Sequence, residues 1–118
     1  MEKHFDIYVN GSQQTRKYAW GFVVNEGPVM LHMTSGEGKN AQALAMKNGA
    51  GEIEAAIRAL KWAKKQAATK VTIHYDYEGV KAWAEGEWEP ENEVVARYVE
   101  FIKPQLGWID FAKKDVKR

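Results

Sequence analysis

Asp6-Ile7-Tyr8-Val9-Asn10-Gly11-Ser12 is the stretch on which the reading of this chain turns. Phe5, Ile7 and Val9 alternate with Asp6, Tyr8 and Asn10, the two-residue period of a strand with unlike faces. Asn10-Gly11-Ser12 then reads as the turn that ends it, because glycine tolerates a positive φ and asparagine and serine bond nearby backbone. Two later carboxylates, Glu52 and Asp76, are placed to come back to the end of this strand. Asn10 stands where such a cluster wants a third acid.

The frame around that stretch is modest. With 118 residues the chain is read as one domain spanning 1–118, large enough to build its own core. A net charge of +1 neither favours nor excludes a nucleic-acid partner, since only a local basic patch matters there. Cysteine is absent, which removes disulfides and thiolate-bound zinc and fits a reducing compartment. No apolar run follows Met1-Glu2-Lys3-His4 as a signal peptide would require, and none approaches the ~20 residues of a membrane span. A cytoplasmic protein without membrane contact is the expectation.

Outward from the first strand, Tyr18 to Val24 and Val29 to Thr34 read as two more strands, with Asn25-Glu26-Gly27-Pro28 as a turn between them. Short turns favour an antiparallel meander, which Ser35 to Asn40 closes. After a small-residue linker, Ala41 to Gly51, the positions Ile53, Ala56, Ile57, Leu60 and Lys64 share one helical face. Val71 to Asp76 is a fourth strand reached by a helical crossover, hence a parallel partner for an earlier one. Tyr77 to Ala84 reads as a short helix with Asp76 as its N-cap, and Asn92 to Lys103 as another stopped by Pro104. Gly107 to Ala112 is a fifth strand. The order β-β-β-α-β-α-α-β describes a mixed α/β (α+β) fold with a five-stranded sheet.

Three motifs now fall on successive elements: Asn10-Gly11-Ser12 after the first strand, Ala50-Gly51-Glu52 opening the long helix, and Tyr75-Asp76-Tyr77-Glu78-Gly79 after the fourth strand. In that order the chain resembles ribonuclease H of type 1, and most nearly the subgroup found beside viroplasmin-like domains. The resemblance runs from about residue 5 to residue 112. It implies a ribonuclease H-like fold and a nuclease that cuts the RNA strand of an RNA–DNA hybrid. It also implies carboxylates that hold two Mg²⁺ or Mn²⁺ ions. The chemical reason is that phosphodiester hydrolysis needs an activated water and a stabilised leaving oxygen, which two hard cations supply.

By resemblance, Glu52 and Asp76 match two of the family's four acids, and Asn10 replaces the first-strand Asp. Asn10, Glu52 and Asp76 are therefore the candidate catalytic and metal-binding residues, with weak metal binding expected. Gly11, Ser12 and Asn48 match positions that touch nucleic acid, and Asn48 serves equally well as a helix cap. The family's fourth acid lies on a last helix, and the sequence ends at Arg118 before any match to it. The expectation is a fold lacking that helix, with hybrid cleavage absent or strongly impaired. Its rival is a non-catalytic module that binds hybrid, duplex RNA or a protein. A sheet face left open by the missing helix predicts a homodimer, through face-to-face packing or exchange of the C-terminal segment. Lys61, Lys64, Lys65 and Lys70, and the tail Lys113, Lys114, Lys117 and Arg118, either follow phosphates or are solvated surface. Trp83 and Trp88 are read as helix packing, and His74 as structural.

Overall fold

The structure, a computed structural model, describes residues 2–46 and 49–114. The elements are β1 (His4–Gln13), β2 (Tyr18–Glu26), β3 (Val29–Gly38), α1 (Ala41–Leu44), α2 (Gly49–Lys65), β4 (Lys70–Tyr75), α3 (Gly79–Ala84), α4 (Glu93–Ile102), a 3-10 turn (Lys103–Trp108) and β5 (Ile109–Lys113). They build one five-stranded sheet in the order β3-β2-β1-β4-β5. β1, β2 and β3 pair antiparallel, while β4 joins β1 and β5 joins β4 in parallel. The mixed sheet expected from the order of elements is therefore present.

One face of the sheet is apolar and covered. Phe5, Ile7, Val9, Tyr18, Trp20, Phe22, Val24, Val71, Ile73 and Tyr75 are all buried there. α2 lies on them through Ile53, Ala56, Leu60 and Ala63, whose 3.6-residue spacing makes one stripe. α3 and α4 pack beside α2. Fully buried Tyr98 of α4 donates its hydroxyl to the Val80 carbonyl at 2.5 Å, so the phenol enters the core with its polar end satisfied.

The opposite face carries the polar parity. Its centre is tiled by side chains that bond each other: His74 Nε2 to Asp6 Oδ1 at 2.8 Å, and His4 Nε2 to Thr72 Oγ1 at 2.8 Å. Tyr8 stacks on His74 with ring centroids 4.2 Å apart. His74 is structural, as expected. Towards β3 the face turns apolar, with Val23 opposite Met33.

Several boundaries differ from the expectation, each for a packing reason. Asn10-Gly11-Ser12 is not a turn: β1 continues to Gln13, with Asn10 opposite Gly21, Gly11 opposite Trp20 and Ser12 opposite Ala19. β3 likewise runs on through Gly36 and Gly38, because the rings of Trp20 and Tyr18 lie over them where side chains would be. A register shift after Val24 skips Leu31, so Met30 pairs with Asn25 and falls on the same face as Met33, not the opposite one. The Ala41–Gly51 linker contains α1, capped by Asn40 Oδ1 on the Gln42 and Ala43 amides, and α2 already begins at Gly49. Asp76 is not an N-cap: α3 begins at Gly79, and its capping position, Glu78, makes no side-chain cap bond. Pro104 opens the 3-10 turn, which takes up Gly107, so β5 starts at Ile109.

Candidate functional site

Parallel pairing decides where the site lies. β1 and β4 run side by side with Tyr8 opposite His74, so two residues further on both strands arrive at Asn10 and Asp76. β5 runs parallel to β4 with Lys113 opposite Tyr75, and delivers Lys113 and Lys114 to the same edge. The carboxyl ends of parallel strands are where ligands bind in open α/β sheets.

The start of α2 reaches this edge because two glycines touch. A Cβ on Gly51 would stand 2.1 Å from the Ala19 carbonyl oxygen and 2.5 Å from Gly11 Cα. A Cβ on Gly11 would stand 2.6 Å from the Glu52 amide nitrogen. Helix and strand therefore meet backbone to backbone, and Glu52 is carried into the sheet edge. There it is buried, at 6% exposure. Its Oε1 accepts the backbone N–H groups of Asp76 at 2.9 Å and Tyr77 at 3.0 Å. Glu52 thus pins the chain just after β4. Asn10 and Asp76 are exposed beside it.

The lysines complete the edge. Lys114 Nζ donates to Asn10 Oδ1 at 2.9 Å and also to the Val9 carbonyl. Its own amide donates to the Tyr75 carbonyl at 2.7 Å, which extends the β4–β5 pairing by one residue. Lys113 Nζ donates to Glu78 Oε1 and to the Asp76 carbonyl, both at 2.6 Å. The hydrogen bond to Glu78, reinforced by attraction to the Glu78 and Asp76 carboxylates, raises the Lys113 ammonium above its ordinary pKa. Beside Asn10, a depression of about 260 Å³ is lined by Gly11, Ser12, Ala19, Trp20, Gly21 and Ser35.

Asn10, Glu52, Asp76, Gly11 and Ser12 are therefore neighbours along one edge; Asn48 lies outside the described residues. The donor set does not fit a pair of divalent ions. Mg²⁺ and Mn²⁺ want several carboxylate oxygens. Here one Glu52 oxygen is committed to two amides, the Asn10 oxygen is neutral and holds an ammonium, and among the described residues no three acidic, histidine or cysteine side chains converge.

The basic groups on the long helix and at the start of β4 divide. Lys61 and Lys65 join Arg58, His32 and Trp62 along a groove between α2 and β3, whereas Lys70 pairs with Asp110 at 3.3 Å. Trp83 is core, its Nε1 donating to the Glu89 carbonyl at 3.2 Å, and Trp88 leans edge-on against it at 5.5 Å. What the sequence reading did not see is the role of Lys114. Its signal was the placement of two lysines directly after the expected fifth strand.

No helix is long and apolar enough to cross a membrane among the described residues. No family model and no curated protein sequence matches the chain. Solved structures do. It is similar to ribonuclease H1 from the halophilic archaeon Halobacterium salinarum NRC-1, at 19% identity and TM-score 0.75 over 98% of this chain and 86% of the other. The N-terminal ribonuclease H domain of Rv2228c from Mycobacterium tuberculosis aligns at 16% identity and TM-score 0.79 over 96% and 83%. LC11 ribonuclease H1, solved in complex with an RNA/DNA hybrid, aligns at 18% identity and TM-score 0.72 over 93% and 84%. With the strand order, the parallel ends and the helix-borne carboxylate all in place, the fold of this chain is that of ribonuclease H.

Proposed function

We propose that the chain is a ribonuclease H-like protein that binds RNA–DNA hybrid or duplex RNA and hydrolyses the RNA strand poorly or not at all. The observation that carries this reading is the state of the strand-end cluster. Two carboxylates, Glu52 and Asp76, belong to the edge where β1 and β4 end, and the third residue there, Asn10, is an amide tied to an ammonium. Glu52 is a positioning residue here, since its Oε1 fixes the backbone of Asp76 and Tyr77. Asp76, exposed at the edge, retains a carboxylate able to polarise a water. Gly11 and Ser12 offer backbone and hydroxyl to a sugar-phosphate strand, contacts that set register and orientation without reading sequence. The Glu52, Asp76 and Asn10 oxygens do not fit the two Mg²⁺ or Mn²⁺ ions that hydrolysis of this kind uses, so the means of activating the attacking water and stabilising the leaving oxygen is largely withdrawn.

The test is a gel assay with labelled hybrid in Mg²⁺, run alongside anisotropy titrations with the same hybrid and with duplex RNA. The expected result is binding with little or no cleavage. Robust turnover at micromolar protein would refute the impaired-enzyme reading, and an absence of hybrid and duplex RNA binding would refute the nucleic-acid reading.

A further inference from the structure

The contact that does most to separate this edge from a metal site is also one that could replace the metal's charge. Lys114 Nζ is fixed from two sides, by Asn10 Oδ1 and by the Val9 carbonyl, at the end of the central strand. Its backbone is fixed by the bond to the Tyr75 carbonyl. An ammonium has three N–H donors, and two are used by described residues. The neighbouring Lys113 is in a different situation, being turned back onto Glu78 and Asp76. The local charges are the carboxylates Glu52, Asp76 and Glu78 against the ammoniums of Lys113 and Lys114. Asn10 belongs to this arrangement. An amide oxygen accepts from the ammonium without cancelling its charge, which an aspartate at the same place would do.

We propose that Lys114 is the resident cation of this site: its ammonium holds the place of a divalent ion at Asn10 and presents its remaining N–H to a non-bridging oxygen of a phosphodiester. The phosphodiester's belonging to a hybrid rests on the proposed function; the exclusion of metal by Lys114 does not. Two consequences follow. Divalent ions bind poorly because the ammonium already occupies the Asn10 oxygen and repels a second cation. Polynucleotide binding proceeds without them.

The deciding measurement is Mn²⁺ titration of the full chain by electron paramagnetic resonance, with Lys114→Gln and the charge-retaining Lys114→Arg, each checked for folding by circular dichroism. Changes around a metal ligand typically move affinity about 10–100-fold, so Lys114→Gln is expected to bind Mn²⁺ at least about tenfold more tightly than the parent, and Lys114→Arg no more tightly. A second arm follows labelled RNA–DNA hybrid by anisotropy in EDTA and in Mg²⁺. The parent is expected to bind equally in both, and Lys114→Gln more weakly with a salt slope smaller by about 1. Equal Mn²⁺ affinity in the parent and Lys114→Gln overturns the inference, as does hybrid binding that requires Mg²⁺. If no form binds hybrid while the Mn²⁺ affinities separate as expected, the proposed function fails and the assignment of Lys114 as the cation stands.

Discussion

Replacing Gly51 by alanine tests whether the backbone contact between α2 and the sheet sets the site. The added methyl would meet the Ala19 carbonyl oxygen at 2.1 Å and Gly11 Cα at 2.5 Å. Both are backbone atoms held in the β1–β2 ladder, so neither can swing aside. Overpacking of this kind costs about 1–3 kcal/mol, and rigid partners place it at the upper end. Alanine in a helix returns at most about 1 kcal/mol over glycine. The net expectation is a loss of about 2 kcal/mol, which at a urea m-value of about 1–2 kcal/mol/M lowers the midpoint by about 1–2 M. Gly107→Ala is the control: a methyl there meets nothing within 4 Å. It should change stability by less than about 0.5 kcal/mol. Chemical denaturation followed by tryptophan fluorescence measures both. A Gly51→Ala protein as stable as the parent would show that helix and strand have room to spare, and the account of how Glu52 reaches the sheet edge would fail with it.

Burial pushes the Tyr98 phenol above its ordinary pKa, so stability is complete below the unfolded value near ~10 and falls as pH rises beyond it. Tyr98→Phe should flatten that alkaline slope while costing about 1–2 kcal/mol at neutral pH, because the Val80 carbonyl loses its donor; identical slopes in the two proteins would count against it. The homodimer expected from the open sheet face, by face-to-face packing or exchange of the C-terminal segment, can be tested at β3, an edge strand on which Met30 and Met33 are 58% and 67% exposed. Light scattering across a dilution series should show a dimer of the 13.4 kDa chain that Met33→Lys disperses, and a monodisperse parent monomer at high concentration would refute it.

The strands were readable because their inward residues alternate without a break, as in Phe5-Ile7-Val9 and Val71-Ile73-Tyr75. Their ends were not, and glycine is the reason. Gly11, Gly36 and Gly38 look like chain breakers locally. Gly11 is in fact the contact for α2, and the other two lie beneath aromatic rings from β2. Such uses depend on partners 16 to 41 residues away, which no local pattern displays. Glu52 and Asp76 were singled out through motifs that span only a few residues each. Lys114 was seen merely as part of a charged tail, because its meaning depends on β5 lying parallel to β4 and on the two strands being in one particular register.

The bonds from Lys114 to Asn10 and Val9 join residues 104 and 105 positions apart. The 104 residues that follow Asn10, up to Lys114, must therefore be synthesised before the edge can close. At ribosomal speeds of about 5–20 residues per second, Asn10 waits roughly 5–20 s for its partner. In the later part of that interval, once Glu52 has been made, the nascent chain has Asn10 and Glu52 but no fixed ammonium, so the site is assembled in time as well as in space. A divalent ion or a stray polyanion meets a different surface before Lys114 is in place than after it.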